Sequence, residues 1–386
     1  MFRRLIILAV SLAVSAVIVL PATTVNAQAA YAPRPGPMFN NPYGGRYAQN
    51  KILVHIRQAI AHAPKGAMVQ LAAYSFNRGD IAKTIVHAYR RGVHVQMVLN
   101  DNWITKQTKH LEHVLGTDIN QPSFVKVCYQ SCRGGAGNQH AKFYLFSQTG
   151  SARNVVMVGS ANLTGHAARS QFNDMLTLLH RRYMRRDYDT IFRQLAEDRR
   201  VAHPWRVFHD GNVTSWFYPH PDTTASTDPV MRRLNHVSCR AINHTGSQGH
   251  TLIRIARYGW QGSRGLWLAQ KVARLEQHGC WIHVIVSSAG RQVVGSLRRA
   301  GVAVKCADTS QRADGSFRKY THEKWMILDG TFNGVGTHQL WTGSENWSNM
   351  SLRNDEVVVQ VPGVGRYYDY ARHFAFEWKY HTHWFS

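Results

Sequence analysis

The sequence predicts an α/β fold of two pseudo-symmetric α/β/α units, each with a mainly parallel sheet flanked by helices. Continuous apolar segments of strand length alternate with helical patterns, and the second half repeats their order. A polar motif also recurs at the same place in each repeat. With 386 residues, the chain is long enough for two such units.

The order of the elements gives the predicted boundaries. Strand, helix and strand are expected at residues 67–74, 81–91 and 93–99, and again at 251–258, 265–277 and 281–287. We therefore predict a signal peptide at 1–27, a Pro- and Gly-rich linker at 28–45, a first domain at 46–205 and a second domain at 206–386. The aromatic segment 364–384 is predicted to be a helix that packs on the core.

The amino-terminal segment 1–27 has the pattern of a secretory signal peptide. Arg3 and Arg4 precede an apolar stretch at residues 5–20, and Pro21 and small residues up to Ala27 follow. A retained membrane anchor is the alternative, although this stretch is at the short limit for spanning a bilayer. We expect a secreted protein, extracellular or periplasmic, that is soluble and monomeric.

Composition and net charge indicate a folded protein that binds an anionic partner. The hydrophobic content of 44% is that of a globular chain rather than a disordered one, and the net charge is +24. Such a charge favours nucleic acid, an acidic lipid surface or a phosphate-bearing substrate. Of the five cysteines, Cys128 and Cys132 could close a small loop, while Cys239, Cys280 and Cys306 leave the pairing open.

The two halves carry the same polar residues at matched spacing. The first set is His140, Lys142, Ser160, Asn162 and Asn173-Asp174, and the second set is His322, Lys324, Asp329, Ser344, Asn346 and Asn354-Asp355-Glu356. The step from histidine to serine is nearly the same in both sets, from position 140 to 160 and from 322 to 344. Chance is a poor explanation for two copies at matched distances.

These residue types suit a phosphodiester. A histidine and the lysine two positions later lie on the same face of a strand. Lysines compensate the phosphate charge, while serine and asparagine can donate hydrogen bonds to its nonbridging oxygens. One histidine can attack phosphorus and the other can protonate the departing alkoxide. We expect neither a metal nor another cofactor, because the two lysines already supply positive charge.

The motifs resemble the phospholipase D superfamily, whose signature is HxKxxxxD followed by GSxN. The second copy matches it fully, with Asp329 as the supporting acid, whereas the first carries Ser147 in place of that acid. The resemblance implies one active site, with His140 as the nucleophile and His322 as the general acid and base. Such a nucleophile needs a carboxylate to fix its tautomer. The candidates are Asp174 and Glu356, which follow their histidines at the same distance, with Asp355 close behind.

The predicted activity is that of a metal-independent phosphodiesterase, a hydrolase. The first hypothesis is a secreted phospholipase D that acts on anionic or zwitterionic phospholipids at a membrane surface. It would degrade glycerophospholipids to phosphatidate and a free alcohol through a phosphohistidine. Aromatic residues that could contact lipid are Trp205, Trp216, Phe217, Tyr218, Trp260 and Trp267. The alternatives are a secreted non-specific nuclease of the same superfamily, which the basic charge favours, and an inactive protein that binds acidic lipid or nucleic acid.

Overall fold

The computed structural model describes residues 31–307, 310–311 and 317–385. The predicted signal peptide at 1–27 lies outside these residues. Across the described ranges, no helix has both the length and the apolar character needed to cross a bilayer.

The first half alternates strands and helices and ends in a long helix. In chain order its elements are β1 (Gly36–Phe39), α1 (Arg46–Ala61), β2 (Met68–Ala73), α2 (Gly79–Arg90), β3 (His94–Asn100), α3 (Lys106–Leu115), β4 (Phe124–Cys128), β5 (Phe143–Thr149), β6 (Ala152–Gly159), α4 (Gly165–Ser170), β7 (Gln171–Phe172), β8 (Asp174–Leu178) and α5 (Arg182–Glu197).

The second half follows the same plan with added short strands. Its elements are β9 (Arg206–Asp210), β10 (Val213–Phe217), α6 (Pro229–Asn235), β11 (Val237–Ser238), β12 (Leu252–Trp260), α7 (Gly262–Gln277), β13 (Trp281–Ala289), α8 (Arg291–Arg299), β14 (Ala303–Cys306), β15 (Ser310–Gln311), β16 (Phe317–Thr321), β17 (Lys324–Phe332), β18 (Val335–Gly343), β19 (Val357–Pro362), α9 (Val364–Tyr380) and β20 (His383–Trp384).

The two main sheets have equivalent strand orders. The first runs β1-β8-β6-β5-β2-β3-β4, and the second contains β10-β19-β18-β17-β12-β13-β14 in the same spatial sequence. In each sheet the last three of these strands pair in parallel and the others pair antiparallel. The predicted α/β fold of two pseudo-symmetric units is therefore confirmed, and within each main sheet parallel pairing is confined to those three strands.

Local sequence explains the βαβ units. Strands β2 and β3 are apolar and mostly buried, as strands covered on both faces must be. The helices that follow β2 and β12 end before Gly92 and Gly279, which take φ of 86° and 92°. Glycine adopts this left-handed conformation at little cost, and the chain turns there into the next strand.

The sheets face each other across a shared core that includes α5 and α9. Buried side chains from both sheets meet there, among them Phe143, Leu145, Val156, Ala256, Trp325, Ile327 and Val357. Tyr367, Tyr370 and Phe374 of α9 join this core, which confirms the predicted packing of the carboxyl-terminal helix. Helices α1–α3 and α6–α8 cover the outer faces of the two sheets.

Part of the predicted linker is instead a strand. Gly36–Phe39 pairs antiparallel with β8, as β10 pairs with β19 in the second half. The Asn40 side chain holds this segment, because its Nδ2 donates to Gln171 O at 2.8 Å and its Oδ1 accepts the Asn173 N–H at 2.8 Å. The linker prediction therefore does not hold for these residues, since an edge strand satisfies the backbone groups of β8.

Four of the cysteines form two disulfides, which answers the question of their pairing. They join Cys128 to Cys132 and Cys239 to Cys280. Cys306 is buried at the end of β14.

Candidate active site

The segments before the two histidine motifs cross to the opposite half. The His140 N–H donates to Asp355 O at 3.0 Å, and the His322 N–H donates to Phe172 O at 2.9 Å. The strand β16, which leads to His322, pairs in parallel with β7 of the first half. This exchange brings the histidine motifs of both halves to one cavity.

The cavity has a volume of about 670 Å³ and is lined by residues of both halves. Its polar lining includes His140, His322, Asn162 and Asn346, and its aromatic lining includes Tyr74, Trp103, Tyr258 and Tyr320. Trp103 and Met350 stand at its rim and are 55% and 54% exposed.

His140 is held by a carboxylate from the second half. Its Nδ1 lies 2.8 Å from Glu356 Oε2 and 3.0 Å from Oε1. Glu356 is fully buried and also accepts hydrogen bonds from Ser344 Oγ at 2.5 Å and Asn354 Nδ2 at 2.9 Å. Because a carboxylate only accepts, the His140 proton sits on Nδ1, and the Nε2 lone pair remains for chemistry.

His322 is held by an amide rather than a carboxylate. Its Nδ1 lies 3.0 Å from Asn173 Oδ1. The orientation of this amide is fixed, because Asn173 Nδ2 donates to Ala167 O at 3.1 Å and Gln171 O at 3.3 Å. His322 therefore also carries its proton on Nδ1 and has no acid directly attached.

Asp174, predicted to fix a histidine tautomer, does not take that position. Its Oδ2 accepts hydrogen bonds from Thr342 and, at 2.7 Å, from Tyr370 OH in the shared core. Asn173 is the preceding residue, and neighbouring strand residues point to opposite faces. The prediction for Asp174 was wrong, because the preceding residue, Asn173, contacts the histidine instead. The Asp355 side chain is not the partner of either histidine ring, because its Oδ2 accepts a hydrogen bond from Ser131 Oγ at 3.0 Å.

The two lysines lie beneath the cavity, almost fully buried. Lys142 Nζ donates to His140 O at 2.5 Å, and Lys324 Nζ donates to His322 O. Each ammonium also lies over a tyrosine ring, with 5.3 Å from Lys142 to Tyr74 and 5.1 Å from Lys324 to Tyr258. This symmetric arrangement places two lysine amino groups below the two histidines.

The motif serines do not face a ligand, contrary to the prediction that they bind substrate. Ser344 Oγ donates to Glu356, and Ser160 Oγ donates to Asn173 Oδ1 at 3.4 Å. Both hydroxyls are fully buried. Each serine instead supports the residue that holds a histidine.

The motif asparagines do line the cavity. Asn346 Oδ1 accepts the Gly259 N–H at 3.2 Å, which turns its NH₂ group away from that contact. The Asn162 Oδ1 is buried and has no hydrogen-bond partner among the described residues. These carboxamides can therefore bind a ligand.

Asp329 and Ser147 perform one supporting task at equivalent positions. Asp329 Oδ1 accepts the Gly246 N–H at 2.7 Å, and Ser147 Oγ accepts the Met68 N–H at 2.8 Å. Both contacts tie the motif strand to the chain near the start of the adjacent strand. A hydroxyl thus replaces the missing acid of the first motif.

Burial opposes charge on the basic groups of the site. Burial lowers the pKa of Lys142 to about 7, although Glu356 opposes this. Burial and the nearby Lys142 hold the pKa of Lys324 well below its ordinary value. The pKa of His140 is lowered by burial and partly restored by Glu356, whereas that of His322 lies well below its ordinary value because of burial and both lysines. A bound phosphate anion would favour the charged forms of these groups.

Asn173 as the partner of His322 was not predicted from the sequence, and neither were the tyrosines beside the histidines. Tyr74 directly follows β2 and Tyr258 lies near the end of the equivalent strand β12. Their rings lie 5.2 and 5.1 Å from the rings of His140 and His322. The repeat of Tyr-x-Phe and Tyr-x-Trp at these strand ends could have identified them. The aromatics expected to contact lipid are buried or half-buried, and Phe217, Tyr218 and Trp260 belong to the core.

The cavity brings together imidazole, amino and carboxamide groups suited to a phosphodiester, and the absence of a metal requirement remains a prediction. Among the described residues, two clusters of three potential metal ligands occur, and both lie outside the cavity lining. One contains the disulfide of Cys128 and Cys132. The other contains Glu323, His373 and Glu377.

The sequence model of a family described as "Cardiolipin synthase, PLD-like domain" matches residues 56–196. No curated protein sequence matches the chain.

Two solved structures share the fold at low sequence identity, and a third aligns with part of the chain. Polyphosphate kinase from Porphyromonas gingivalis aligns with a TM-score of 0.55 and 13% identity over 89% of this chain and 50% of its own, so this chain spans half its length. Phosphatidylserine synthase from Haemophilus influenzae Rd KW20 aligns with a TM-score of 0.55 and 10% identity over 87% of this chain and 85% of its own. Nuc from Salmonella typhimurium, a phospholipase D family member, aligns with a TM-score of 0.33 and 20% identity over 44% of this chain and all of its own.

Proposed function

Because the chain belongs to the phospholipase D superfamily, we propose that it is a metal-independent phosphodiesterase that hydrolyses glycerophospholipids as a phospholipase D. The reaction type is proposed from one observation. Two histidines from opposite halves line one cavity, and the Nδ1 atom of one contacts a carboxylate while that of the other contacts an amide oxygen. We also propose that the enzyme is exported, which rests on residues 1–27 of the sequence.

The partners of the two histidines indicate which histidine is the nucleophile and which is the general acid. A nucleophilic imidazole becomes positively charged when its nitrogen bonds to phosphorus, and the Glu356 carboxylate stabilises that charge on His140. A general acid works better when its pKa is not raised by a carboxylate, and Asn173 leaves His322 in that condition. The geometry therefore favours His140 as the nucleophile, the assignment that the resemblance implies.

The first step forms a phosphohistidine. The lone pair of His140 Nε2 attacks phosphorus, and the bond from phosphorus to the alcohol oxygen breaks. His322, whose charged form the bound phosphate anion favours, donates its Nε2 proton to that oxygen, so the alcohol leaves neutral. Lys142, Lys324 and the motif asparagines hold the phosphoryl oxygens.

The second step releases phosphatidate. Neutral His322 now takes a proton from water, and the water oxygen attacks phosphorus. The bond from phosphorus to His140 Nε2 breaks and returns its electron pair to the ring. The charges of both histidines are then as they were before the first step.

The rim of the cavity supports a lipid substrate. Trp103, Ile104 and Met350 are each about half exposed, and the first and last of these line the cavity. Exposed apolar side chains beside a site suit contact with a lipid interface. We therefore place the acyl chains of the substrate on this side.

A second candidate, a nuclease, is favoured by the adjoining pocket. This pocket of about 680 Å³ is lined by Arg46, Arg78 and Arg169, and it shares Asn77 with the active-site cavity. Cationic side chains beside a phosphodiester site suit the neighbouring phosphates of a nucleic acid strand.

Two substrates and two matched variant pairs separate these candidates. The protein is incubated in EDTA with phosphatidylcholine vesicles or with plasmid and single-stranded DNA. Trp103→Ala is compared with Trp384→Ala, which removes an exposed tryptophan outside the cavity lining. Arg169→Ala is compared with Arg199→Ala, which removes an exposed arginine outside both pockets.

A phospholipase D releases choline from vesicles, and Trp103→Ala lowers that rate roughly tenfold or more while sparing a soluble short-chain substrate. Cleavage of DNA without choline release, weakened by Arg169→Ala but not by Arg199→Ala, would establish the nuclease instead. Cleavage of neither substrate would contradict both candidates.

A further inference from the structure

A charged cluster lies in the shared core, on the face of β17 opposite the active site. Glu323 stands between His322 and Lys324, and its side chain points into the core beside Trp325. It meets His373 and Glu377, which are four residues apart on α9. The carboxylates of Glu323 and Glu377 are fully buried, and the His373 side chain is 9% exposed.

The equivalent positions of the first half are occupied by apolar residues. Ala141 occupies the position of Glu323 in its motif and is buried in the shared core. Helix α5 matches α9, because Tyr188 and Phe192 correspond to Tyr370 and Phe374 in sequence spacing and in core packing. In that alignment Ile191 and Leu195, both buried, correspond to His373 and Glu377.

Three apolar core positions of one half are thus charged or titratable in the other. Burying such groups is costly unless they are paired or bind a metal. Packing alone does not explain the change, since the first half packs the same positions with apolar side chains.

The polar atoms of the cluster converge on one point, where His373 pairs with both carboxylates and leaves part of their hydrogen-bonding capacity unused. His373 Nε2 lies 2.7 Å from Oε1 of Glu323 and 2.7 Å from Oε1 of Glu377. Only the contact with Glu323 has the geometry of a hydrogen bond, and both Glu377 oxygens lack a hydrogen-bond partner among the described residues. One ring N–H cannot serve two carboxylates at once.

We propose that Glu323, His373 and Glu377 bind a zinc ion that fastens α9 to the catalytic strand β17. An imidazole nitrogen and carboxylate oxygens are zinc ligands, and the donor atoms of the three residues lie within 4.8 Å of one another. Neighbouring ligands of a tetrahedral zinc are about 3.3 Å apart, so the side chains open by roughly half an ångström. The second Glu377 oxygen is available as a further ligand.

The surroundings suit a structural metal site. Trp325 Nε1 donates to Glu323 Oε2 at 2.7 Å and orients the carboxylate, as outer contacts of metal ligands commonly do. The Phe39 ring stacks on His373 with 3.9 Å between centroids. Two carboxylates and a neutral imidazole balance the charge of Zn²⁺, and this proposal is independent of the reaction at the histidine pair.

Metal content and melting temperature test the proposal in the full protein. Wild-type protein is loaded with zinc, dialysed and analysed by atomic emission beside Glu377→Gln and its control Asp369→Asn, an exposed acid of the same helix. A third variant, E323A/H373I/E377L, restores the apolar set of the first half and keeps the test valid if Glu377→Gln does not fold.

We expect one zinc per chain in wild type and Asp369→Asn, with a melting temperature that strong chelators lower. Glu377→Gln and the triple variant should lose that zinc, and the triple variant should melt independently of chelator. The proposal is overturned if wild-type protein retains no zinc and its melting ignores chelator and added zinc. It is equally overturned if one zinc per chain persists in the triple variant.

Discussion

Glu356 lies in the second half but holds His140 of the first, with 2.8 Å between Oε2 and Nδ1. Asn173 of the first half holds His322 of the second at 3.0 Å. Each histidine is therefore oriented by the other half, and neither half contains a complete site. The two partners also differ in charge, which separates the roles of the histidines.

Replacing Glu356 by Gln should lower kcat by about 10²–10⁴-fold. The amide cannot stabilise the charge on His140, and it can present its NH₂ group to the ring and change the tautomer. Steady-state kinetics with a soluble diester measures the loss. Asp355→Asn is the matched control, since this adjacent buried acid bonds Ser131 rather than a histidine, and a comparable loss there would contradict the role of Glu356.

Replacing Asn173 by Asp should raise the pKa of His322, because an adjacent carboxylate favours imidazolium. The pH profile of kcat/KM should shift toward higher pH with it. The variant should also lose about 1–3 kcal/mol of stability, since two carbonyls lose their donor. A loss of stability with an unchanged pH profile would mean that Asn173 only supports the fold.

Replacing Lys142 by Met should stabilise the empty protein by about 0.5–2 kcal/mol and lower kcat/KM by about 10²–10³-fold. The pKa of this buried lysine falls from 10.5 to about 7, so the unfolded chain binds more protons between these pH values. Wild-type stability should therefore rise relative to the variant as pH increases from 7 to 10.5. Denaturant unfolding at several pH values measures the free energy of unfolding of both proteins. The advantage of the variant over the wild type should shrink as pH rises, and an advantage that grows with pH contradicts the prediction.

The activity of the wild-type enzyme should fall as pH rises above about 7. In the empty site Lys142 loses its charge in this range because of burial, and an uncharged amine attracts a phosphodiester poorly. The measurement is kcat/KM for a soluble diester between pH 5 and 10. A value that stays constant up to pH 10 would show that the charge of Lys142 is not needed for capture.

Repetition made much of this molecule predictable. The two copies of His-x-Lys and GSxN predicted a shared site, and alternating apolar segments predicted the α/β fold. Strand periodicity also explains why His140 and Lys142 act on one side while Ala141 enters the core.

The partners of the histidines could not be read from spacing. Asp174 and Glu356 follow their histidines at the same distance along the chain, yet the backbone aligns them differently. Ser160 N–H donates to Asp174 O, while Ser344 N–H donates to Val357 O, so Asp174 corresponds to Val357. A shift of one residue turns a side chain to the other face of a strand. The exchange between halves depends on tertiary pairing, which the sequence does not encode locally.

The most direct test of the roles of the two histidines is to locate the phosphorylated residue in His322→Ala. With a diester whose alcohol is p-nitrophenol, departure needs no proton, so the intermediate should form and persist without its general base. Rapid quenching and mass spectrometry should find the phosphoryl group on His140 and none in His140→Ala. A phosphoryl group trapped in His140→Ala, and none in His322→Ala, would contradict the assignment.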